Sequence, residues 1–491
     1  MLRNVRLCVV CAVAAALLLL LFAPAPSASA ADKPVSFIND VAPILKENCF
    51  ACHDAKKRSG KYDMTTIEKM LAGGSDGEPI VVGKPDESEF HTLIVTKDER
   101  RMPPRDKGEA VPKDKAEIIR RWIAEGAKFD AGLDRKADLV KELRVRWTPP
   151  TPPEKYKFAS IVNALAFTPD GQSLVVGGHH ELLVWSIADA KLTKRIATRA
   201  ERAYGMAFLP DGKLAVAGGR PGQEGDVRIY DLAAKPKSTK DGVAYLDGVA
   251  DKAVMLKQLL DADDSVLCLT LSKDGKTLAA GGCDRAVRVW DLSAGLDKVK
   301  LEQTVENHAD WVLGLAISAD GKYLLTAGRD KTAKVWDLKA KESVLTFPDH
   351  QNIVYGVAVK PDLSVGYSVG ADRQLRTWKP TGEGKQIKAT AGHGDEVFKV
   401  VAHPSQPLLL TASADKSVRS WDMDKLSNLK TFQGLDDFVY ALAISPDGKQ
   451  VAGGSYDGEI RVWTVADGTL VKGFNASPGI ASKAAAAPAK K

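Results

Sequence analysis

Apolar residues recur along this chain with three different patterns, and each pattern predicts a different structure. Residues 7–22 form an uninterrupted apolar run. Between about residues 37 and 127, apolar residues repeat every three or four positions, which is typical of amphipathic helices. From about residue 156 onward, short alternating segments are bounded by turn residues, which indicates β-strands. The sequence therefore predicts an apolar leader, a small all-α domain and an all-β domain, in this order.

The helical part contains two clear amphipathic segments. In residues 37–48 the spacing predicts one helix, and residues 112–127 predict a second with a stop at Gly126. The apolar face of the second helix is formed by Ile118, Ile119, Trp122 and Ile123. The charged residues 131–147 predict a further amphipathic helix. The proline-rich residues 147–153 must be extended and stiff. We place a domain boundary there.

The β-part repeats itself seven times. Each segment ends in an aromatic residue, and most of these are 42 to 46 residues apart, with one interval of 60: Trp185, Tyr230, Trp290, Trp336, Trp378, Trp421 and Trp463. A repeat of this length with short strands is typical of a four-stranded propeller blade. The long interval indicates an insertion at residues 233–260. The repeats therefore predict a seven-bladed β-propeller.

Five blades carry Asp-Gly where the first hairpin should turn. These pairs are Asp170-Gly171, Asp211-Gly212, Asp274-Gly275, Asp320-Gly321 and Asp447-Gly448. Asp-Gly suits a two-residue turn in which both central residues take positive φ. With the turn at Asp274-Gly275, Cys268 falls opposite Gly281 and only diagonally across from Cys283, so we expect two unpaired thiols there.

Three successive repeats share a finer pattern of four polar residues with spacings of 18, 4 and 6. The sets are His308, Thr326, Asp330 and Trp336; His350, Ser368, Asp372 and Trp378; and His393, Thr411, Asp415 and Trp421. This spacing resembles the WD-repeat family, in which the four side chains hydrogen-bond within a blade. Because the set occurs in three blades, we interpret it as structural rather than as a catalytic Ser-His-Asp arrangement. The other blades depart from it, with His179 at the acid position in blade one, and we expect them to be looser.

The termini add targeting information. Arg3 and Arg6 precede the apolar run, and Ala28-Ser29-Ala30 follows it, which is the layout of a secretory signal with cleavage before Ala31. An uncleaved anchor is the alternative, although the run is shorter than the roughly 20 residues that a spanning helix needs. We therefore expect an exported, periplasmic or otherwise extracytoplasmic protein without a membrane span after cleavage. The predicted organisation is signal peptide 1–30, helical domain 35–130, linker 131–155, propeller 156–475 and disordered tail 476–491.

Composition narrows the class of partner. The 491 residues are 44% hydrophobic and 27% charged, with a formal net charge of +6. This charge is small for the length, and no basic stripe is interleaved with aromatic residues, so we expect no nucleic-acid partner. After removal of the leader, which contains Cys8 and Cys11, Cys49 and Cys52 form the one closely spaced cysteine pair.

The strongest chemical signal is Cys49-Phe50-Ala51-Cys52-His53. Cys-x-x-Cys-His is the attachment motif of c-type haem, in which two sulfurs bind the porphyrin covalently and the adjacent histidine binds the iron. A redox dithiol, a zinc site and a plain disulfide are the alternatives. The preceding segment is helical rather than a strand, no second Cys or His pair lies nearby, and a disulfide leaves His53 unexplained.

A second axial ligand is available from Met64, Met70, His91 or Met102. We favour Met102, because the two prolines after it restrict the backbone and remove amide donors, so the loop has little conformational entropy left to lose. Met64 stays open as a second methionine.

Residues 37–130 resemble the planctomycete-type cytochrome c domain. The matching motifs are Pro43-Ile44-Leu45, Cys49-x-x-Cys52-His53, Gly73-Gly74, Val82-Gly83-Lys84-Pro85, Ser88, Met102-Pro103-Pro104, Trp122-Ile123 and Gly126-Ala127. The resemblance covers about a fifth of the chain. It implies one covalently bound haem c, with His53 as the proximal and Met102 as the distal iron ligand.

Three functions are consistent with this combination of domains. The first is electron transfer by a mono-haem cytochrome whose propeller docks a redox partner or another protein. The second is an oxidoreductase whose propeller binds a second cofactor or a substrate, and the third is a haem-based sensor on an assembly scaffold. A propeller is too general a fold to choose between them.

Overall fold

The computed structural model describes residues 34–483. The chain divides into two compact units between Trp147 and Thr148. The predicted signal peptide at residues 1–30 and the end of the chain, residues 484–491, lie outside the described part. Within that part, no helix is both long and apolar enough to span a bilayer.

The first unit is built from short helices. A π-helical turn, Phe37–Val41, leads into α1, and 3₁₀ turns lie at Ser59–Lys61 and Pro85–Glu87. Helices α1 to α5 span Ala42–Asn48, Ile67–Ala72, Glu89–Val95, Lys113–Ala124 and Leu139–Arg146. The helices predicted within residues 37–48 and 112–127 are confirmed.

An aromatic cluster forms the centre of the first unit. The ring of Phe37 lies 5.3 Å from that of Trp122 and 4.8 Å from that of Phe129. The Trp122 indole donates to the Lys128 carbonyl at 2.8 Å, so its only polar atom is satisfied. Leu139 of α5 is fully buried in the same core. The helix that the sequence assigns to the linker therefore packs on the first unit.

The second unit is a seven-bladed β-propeller, as predicted. Each blade contains four antiparallel strands. From the innermost strand outward, the first three blades are β1 to β4, Leu165–Phe167, Ser173–Gly177, Glu181–Ser186 and Leu192–Ala197; β5, β6, β7 and β10, Arg202–Phe208, Leu214–Arg220, Glu224–Tyr230 and Met255–Ala262; and β11 to β14, Val266–Leu271, Thr277–Gly282, Val287–Asp291 and Lys300–Val305. The seven predicted aromatic residues all lie on the third strand of their blades.

The remaining four blades follow the same order. They are β15 to β18, Val312–Ile317, Tyr323–Gly328, Ala333–Asp337 and Glu342–Phe347; β19 to β22, Val354–Val359, Gly366–Gly370, Gln374–Trp378 and Gln386–Ala391; β23 to β26, Val397–Ala402, Leu408–Ser413, Val418–Asp422 and Asn428–Phe432; and β27 to β30, Val439–Ile444, Gln450–Ser455, Glu459–Thr464 and Leu470–Asn475.

The insertion in the long repeat forms a hairpin of two extra strands, β8 at Ser238–Lys240 and β9 at Val243–Asp247. Strand β9 pairs in parallel with β4, the outer strand of blade one. The insertion thus covers the edge of the neighbouring blade, which removes an unpaired row of backbone groups.

The five Asp-Gly turns form where predicted, but their conformation differs from the prediction. Each glycine has a positive φ, between 70° and 82°, whereas none of the aspartates does. Instead, the aspartate side chain accepts from the backbone amide two residues later, as Asp274 does from Lys276 at 3.1 Å. A side-chain hydrogen bond therefore stabilises these turns, and only the glycine position requires the left-handed region.

The ring closes between blades seven and one. Trp185 stacks on Phe474 with ring centroids 5.2 Å apart, and the Ser160 amide donates to the Ser477 hydroxyl at 2.8 Å. Ser477 is buried, and Lys483 forms an ion pair with Asp457 at 2.7 Å. The prediction of disorder from residue 476 is therefore wrong for residues 476–483, because these contacts hold them against the ring.

Candidate functional site

The Cys-x-x-Cys-His motif lies directly after α1 and continues its turn. The Cys49 amide donates to the Leu45 carbonyl at 2.8 Å, and the amides of Cys52 and His53 donate to the Cys49 carbonyl at 3.1 and 3.0 Å. The two thiols are not bonded to each other. The chain therefore presents two free sulfurs and one imidazole from a single turn.

These three residues line a cavity of about 350 Å³, together with Met102 and Met64. This volume lies within the range of pockets that hold small molecules. Most of the wall is apolar and includes Ile44, Leu45, Phe90, Ile94 and Ile119. Of the remaining axial candidates, Met70 and His91 are buried but do not line this cavity.

The electrostatics of the motif disfavour a redox dithiol. Burial, with a smaller contribution from the Cys52 thiol, raises the pKa of Cys49 to about 12. A reactive dithiol needs a thiol with a lowered pKa. Among residues 34–483 there is also no group of three His, Cys, Asp or Glu side chains that could hold a metal ion, so a zinc site finds no support.

The donor set fits haem c. His53 Nδ1 is buried without a hydrogen-bond partner, and two thiols and a thioether share the cavity wall with this imidazole. Thiols for covalent attachment, with a nitrogen and a sulfur donor for iron, are the groups that c-type haem requires.

Two residues that the sequence did not single out hold the site in place. Arg101 donates to the carbonyls of Pro103 at 3.1 Å and Gly108 at 2.8 Å, which ties down the loop carrying Met102. Tyr62 packs its ring 5.3 Å from that of His53 and donates to the Met70 carbonyl at 2.8 Å. No short motif marks either residue, because their hydrogen bonds go to backbone carbonyls, which any residue type supplies.

In the propeller, the three His, Ser/Thr, Asp and Trp sets form the predicted networks. In each, His Nδ1 lies 2.9 Å from the aspartate and His Nε2 lies 2.6 to 2.7 Å from the hydroxyl. The indoles of Trp378 and Trp421 donate to their hydroxyls at 3.1 and 2.8 Å. The Trp336 indole is the exception, since its buried N–H has no partner.

The aspartates of these networks are held ionised. Burial alone would raise the pKa of Asp372, but hydrogen bonds from His350 and the Gln374 amide, together with the Arg376 guanidinium, lower it to about 2. Asp330 is likewise held well below its usual pKa, because the bonds from His308 and Thr332 outweigh its burial.

Three of the four blades without the histidine set contain a buried arginine–carboxylate pair, which the sequence analysis missed. In blade one, Arg195 binds both oxygens of Glu181 at 2.6 and 2.7 Å and donates to the carbonyls of Pro153 and Glu154. Arg228 with Asp226 in blade two and Arg461 with Glu459 in blade seven are further pairs. In blades one, two and seven a different buried ion pair thus replaces the network, whereas the Asp284–Arg288 pair of blade three is partly exposed; that these blades are looser stays a prediction.

Comparisons with known proteins divide the chain in the same way. Residues 49–106 match the family described as Planctomycete cytochrome C. Five segments, 155–186, 255–291, 299–337, 384–422 and 426–464, match the WD domain, G-beta repeat.

Similar proteins share only part of the chain. Coronin-7 of Rattus norvegicus is 34% identical over 101 residues, which is 19% of this chain and 11% of that protein. Protein groucho of Drosophila melanogaster is 29% identical over 139 residues, covering 28% and 16%. Periodic tryptophan protein 2 of Arabidopsis thaliana is 32% identical over 211 residues, covering 42% and 23%. The chain thus spans less than a quarter of the length of these relatives, and it combines a segment similar to the Planctomycete cytochrome C family with a propeller of WD repeats.

Proposed function

We propose that this protein is an exported mono-haem c-type cytochrome that transfers electrons, with its propeller serving as a docking scaffold for a protein partner. One observation carries the proposal: Cys49, Cys52, His53 and Met102 line a single, mainly apolar cavity in the first unit. The small helical unit is then an all-α cytochrome domain.

Each residue has a defined part in this proposal. Cys49 and Cys52 would hold the porphyrin through thioethers, and His53 and Met102 would supply the ligands of the iron. Haem supplies one-electron transfer at the iron, and a methionine ligand raises its reduction potential relative to a second histidine. The apolar wall excludes water, Tyr62 restricts the imidazole, and Arg101 restricts the methionine loop.

Covalent attachment is tested by producing the full chain together with a cytochrome c maturation system. The haem should remain with the denatured polypeptide in acid acetone and should add the mass of one haem. The double variant Cys49→Ser, Cys52→Ser should carry none. Cys268→Ser is the matched control, because Cys268 is a buried thiol of the propeller, and it should keep the haem. Extraction of the haem from the wild-type chain contradicts the proposal.

The distal ligand is tested with three methionine variants. Met102→Ala should lose the weak far-red absorption of methionine-bound ferric iron and should bind carbon monoxide readily when reduced. Met64→Ala is the decisive comparison, since Met64 lines the same cavity. Met70→Ala controls for loss of packing, because Met70 is fully buried outside that wall. If Met64→Ala alone loses the band, the assignment of Met102 is wrong.

The scaffold role is supported by the outer rim of the propeller. In each of four successive blades, one residue of the outer strand is left out of the pairing with the third strand. These residues are apolar and 36% to 53% exposed, namely Val344, Ile387, Leu429 and Val471. Exposed apolar patches mark protein-binding surfaces.

Cross-linking in intact cells should trap a partner that exchanges electrons with the haem. The double variant Ile387→Glu, Leu429→Glu should lose this partner, whereas Lys385→Glu, at an exposed lysine of the same region, should keep it. Equal trapping by both variants contradicts a rim docking site.

Export is tested separately. We expect the mature chain in the periplasmic or external fraction, with Ala31 at its N-terminus. Recovery of the uncleaved chain in the cytoplasm would contradict export and leave the haem proposal to its own tests.

A further inference from the structure

The inner strands of six blades share an irregularity near their first residue. In each, one residue is left out of the pairing with the second strand, as Phe398 is between the paired residues Val397 and Lys399. Such a bulge redirects a side chain. The redirected residues are Tyr204, Leu267, Leu313, Tyr355, Phe398 and Tyr440, and all of them line one mouth of the central channel.

The next residue along the strand is small in every blade except one. From blade one to blade seven the residues are Ala164, Gly205, Cys268, Gly314, Gly356, Lys399 and Ala441. Space explains part of this pattern, because a Cβ on Gly314 would lie 2.7 Å from the Tyr355 carbonyl oxygen. Lys399 is thus the one long, charged side chain at a position that the fold otherwise fills with small residues.

Lys399 has no counter-ion. Its ammonium makes no hydrogen bond or ion pair with any residue in the described range 34–483. Burial lowers the pKa of Lys399. The one titratable group that would offset this, as a thiolate, is Cys268. That thiol is itself neutral, because burial raises its pKa to about 12. The Lys399 side chain is half-buried and lines the channel, and a partly desolvated ammonium without a partner is stabilised by a ligand that brings a negative charge.

Aromatic rings line the space around Lys399. Lys399 lines both the channel and a cavity of about 470 Å³ at its mouth. Above it, the rings of Phe398 and Tyr440 stack with centroids 4.5 Å apart, and Tyr355 meets Phe398 edge-on at 5.3 Å. These rings offer an apolar wall that packs well against another ring.

The charges at the mouth orient a ligand. Asp395 and Glu396 also line the cavity, and Glu396 accepts from the Tyr355 hydroxyl at 2.8 Å. Lys399 lines the channel as well as this cavity, whereas the two acids line the cavity alone, so a single negative charge is favoured on the channel side, next to Lys399. The two acids disfavour multiply charged anions such as phosphate esters, which would experience repulsion from both.

We propose that the mouth of the propeller channel binds a small aromatic carboxylate, with the carboxylate paired to Lys399 and the ring packed against Phe398 and Tyr440. This site is separate from the cavity of the Cys-x-x-Cys-His motif and stands independently of the haem proposal.

The test measures binding of benzoate, phenylacetate and 4-hydroxybenzoate to the full chain by calorimetric titration. At least one should bind saturably with one site per chain. Benzyl alcohol, which has the ring without the charge, should bind at least about tenfold more weakly, since a charge-assisted hydrogen bond is lost. Lys399→Met should weaken the acids by a similar factor, and Tyr440→Leu should weaken both acids and alcohol.

Controls keep the result decisive. Lys385→Met removes an exposed lysine of the same unit and should leave binding unchanged. Lys399→Met should melt at a higher temperature than wild type without ligand, because an apolar chain replaces an unpaired ammonium; if it does not fold, Lys399→Gln takes its place. Saturable binding by none of the three acids overturns the proposal, as does equal binding by the Lys399 variant. Saturable binding of an acidic peptide where none of the three acids binds would assign the site to a protein ligand instead.

Discussion

Replacing Asp330 by alanine gives a direct test of how the propeller is held together. The Asp330 carboxylate accepts from His308 Nδ1 at 2.9 Å and from the Ala309 amide at 3.0 Å. Its other oxygen accepts from the amide and the hydroxyl of Thr332, at 3.2 and 2.8 Å. The His308 side chain is 1% exposed, so water cannot replace the lost acceptor, whereas the loop around Ala309 is exposed and can be rehydrated.

The expected cost follows from these contacts. A buried hydrogen bond to a charged group contributes about 1.5 to 3 kcal/mol, and the more exposed bonds contribute about 0.5 to 1 kcal/mol each. We therefore expect Asp330→Ala to lower the free energy of unfolding by about 3 kcal/mol. For a propeller of about 320 residues, with an unfolding entropy of roughly 2 cal/mol/K per residue, this lowers Tm by about 4 to 5 °C.

The assay is thermal unfolding followed by far-ultraviolet circular dichroism, with Asp284→Ala as the matched control. Asp284 occupies the equivalent position in blade three, where it binds Arg288 at 2.6 Å and no histidine. Its side chain is 27% exposed, so we expect a loss of about 1 kcal/mol or less. If Asp330→Ala melts no earlier than Asp284→Ala, the buried network does not stabilise the blade and our reasoning fails.

Three further outcomes follow from the same structure. Arg101→Ala frees the loop of Met102 and should weaken the far-red absorption of the ferric protein while leaving the haem covalently attached; an unchanged band would show that Arg101 does not position the loop. Arg195→Met leaves Glu181 buried without its counter-ion, although the Tyr156 hydroxyl still donates to it, and should cost about 3 kcal/mol; adding Glu181→Leu should recover much of this loss in thermal unfolding. The pKa of Asp372 is lowered to about 2 from about 3.9 in the unfolded chain. The ionised Asp372 carboxylate therefore stabilises the fold above about pH 4, and this contribution is lost as the pH falls from about 4 to 2. Tm measured across this range should fall less steeply for Asp372→Asn than for wild type.

Much of the fold can be predicted from the sequence, because the signals are local. Trp185 and its six counterparts repeat at the length of one blade, and the Asp-Gly pairs mark where the first hairpin turns. The helices of the first unit are likewise encoded by the spacing of apolar residues over one or two turns. The Cys-x-x-Cys-His motif needs only five consecutive residues to bring two thiols and an imidazole together.

The tertiary structure decided which partners the charged residues meet. Arg195 and Glu181 are 14 residues apart in sequence, and only the pairing of β3 with β4 makes them a buried ion pair that also binds the carbonyls of Pro153 and Glu154. Lys399 looks like any lysine of a β-strand until the closed ring places it beside a channel, where no acid of residues 34–483 lies within ion-pair distance. The physical reason is the same in both cases: periodicity and turns depend on neighbours along the chain, whereas the free energy of a buried charge depends on groups that only the folded ring brings near it.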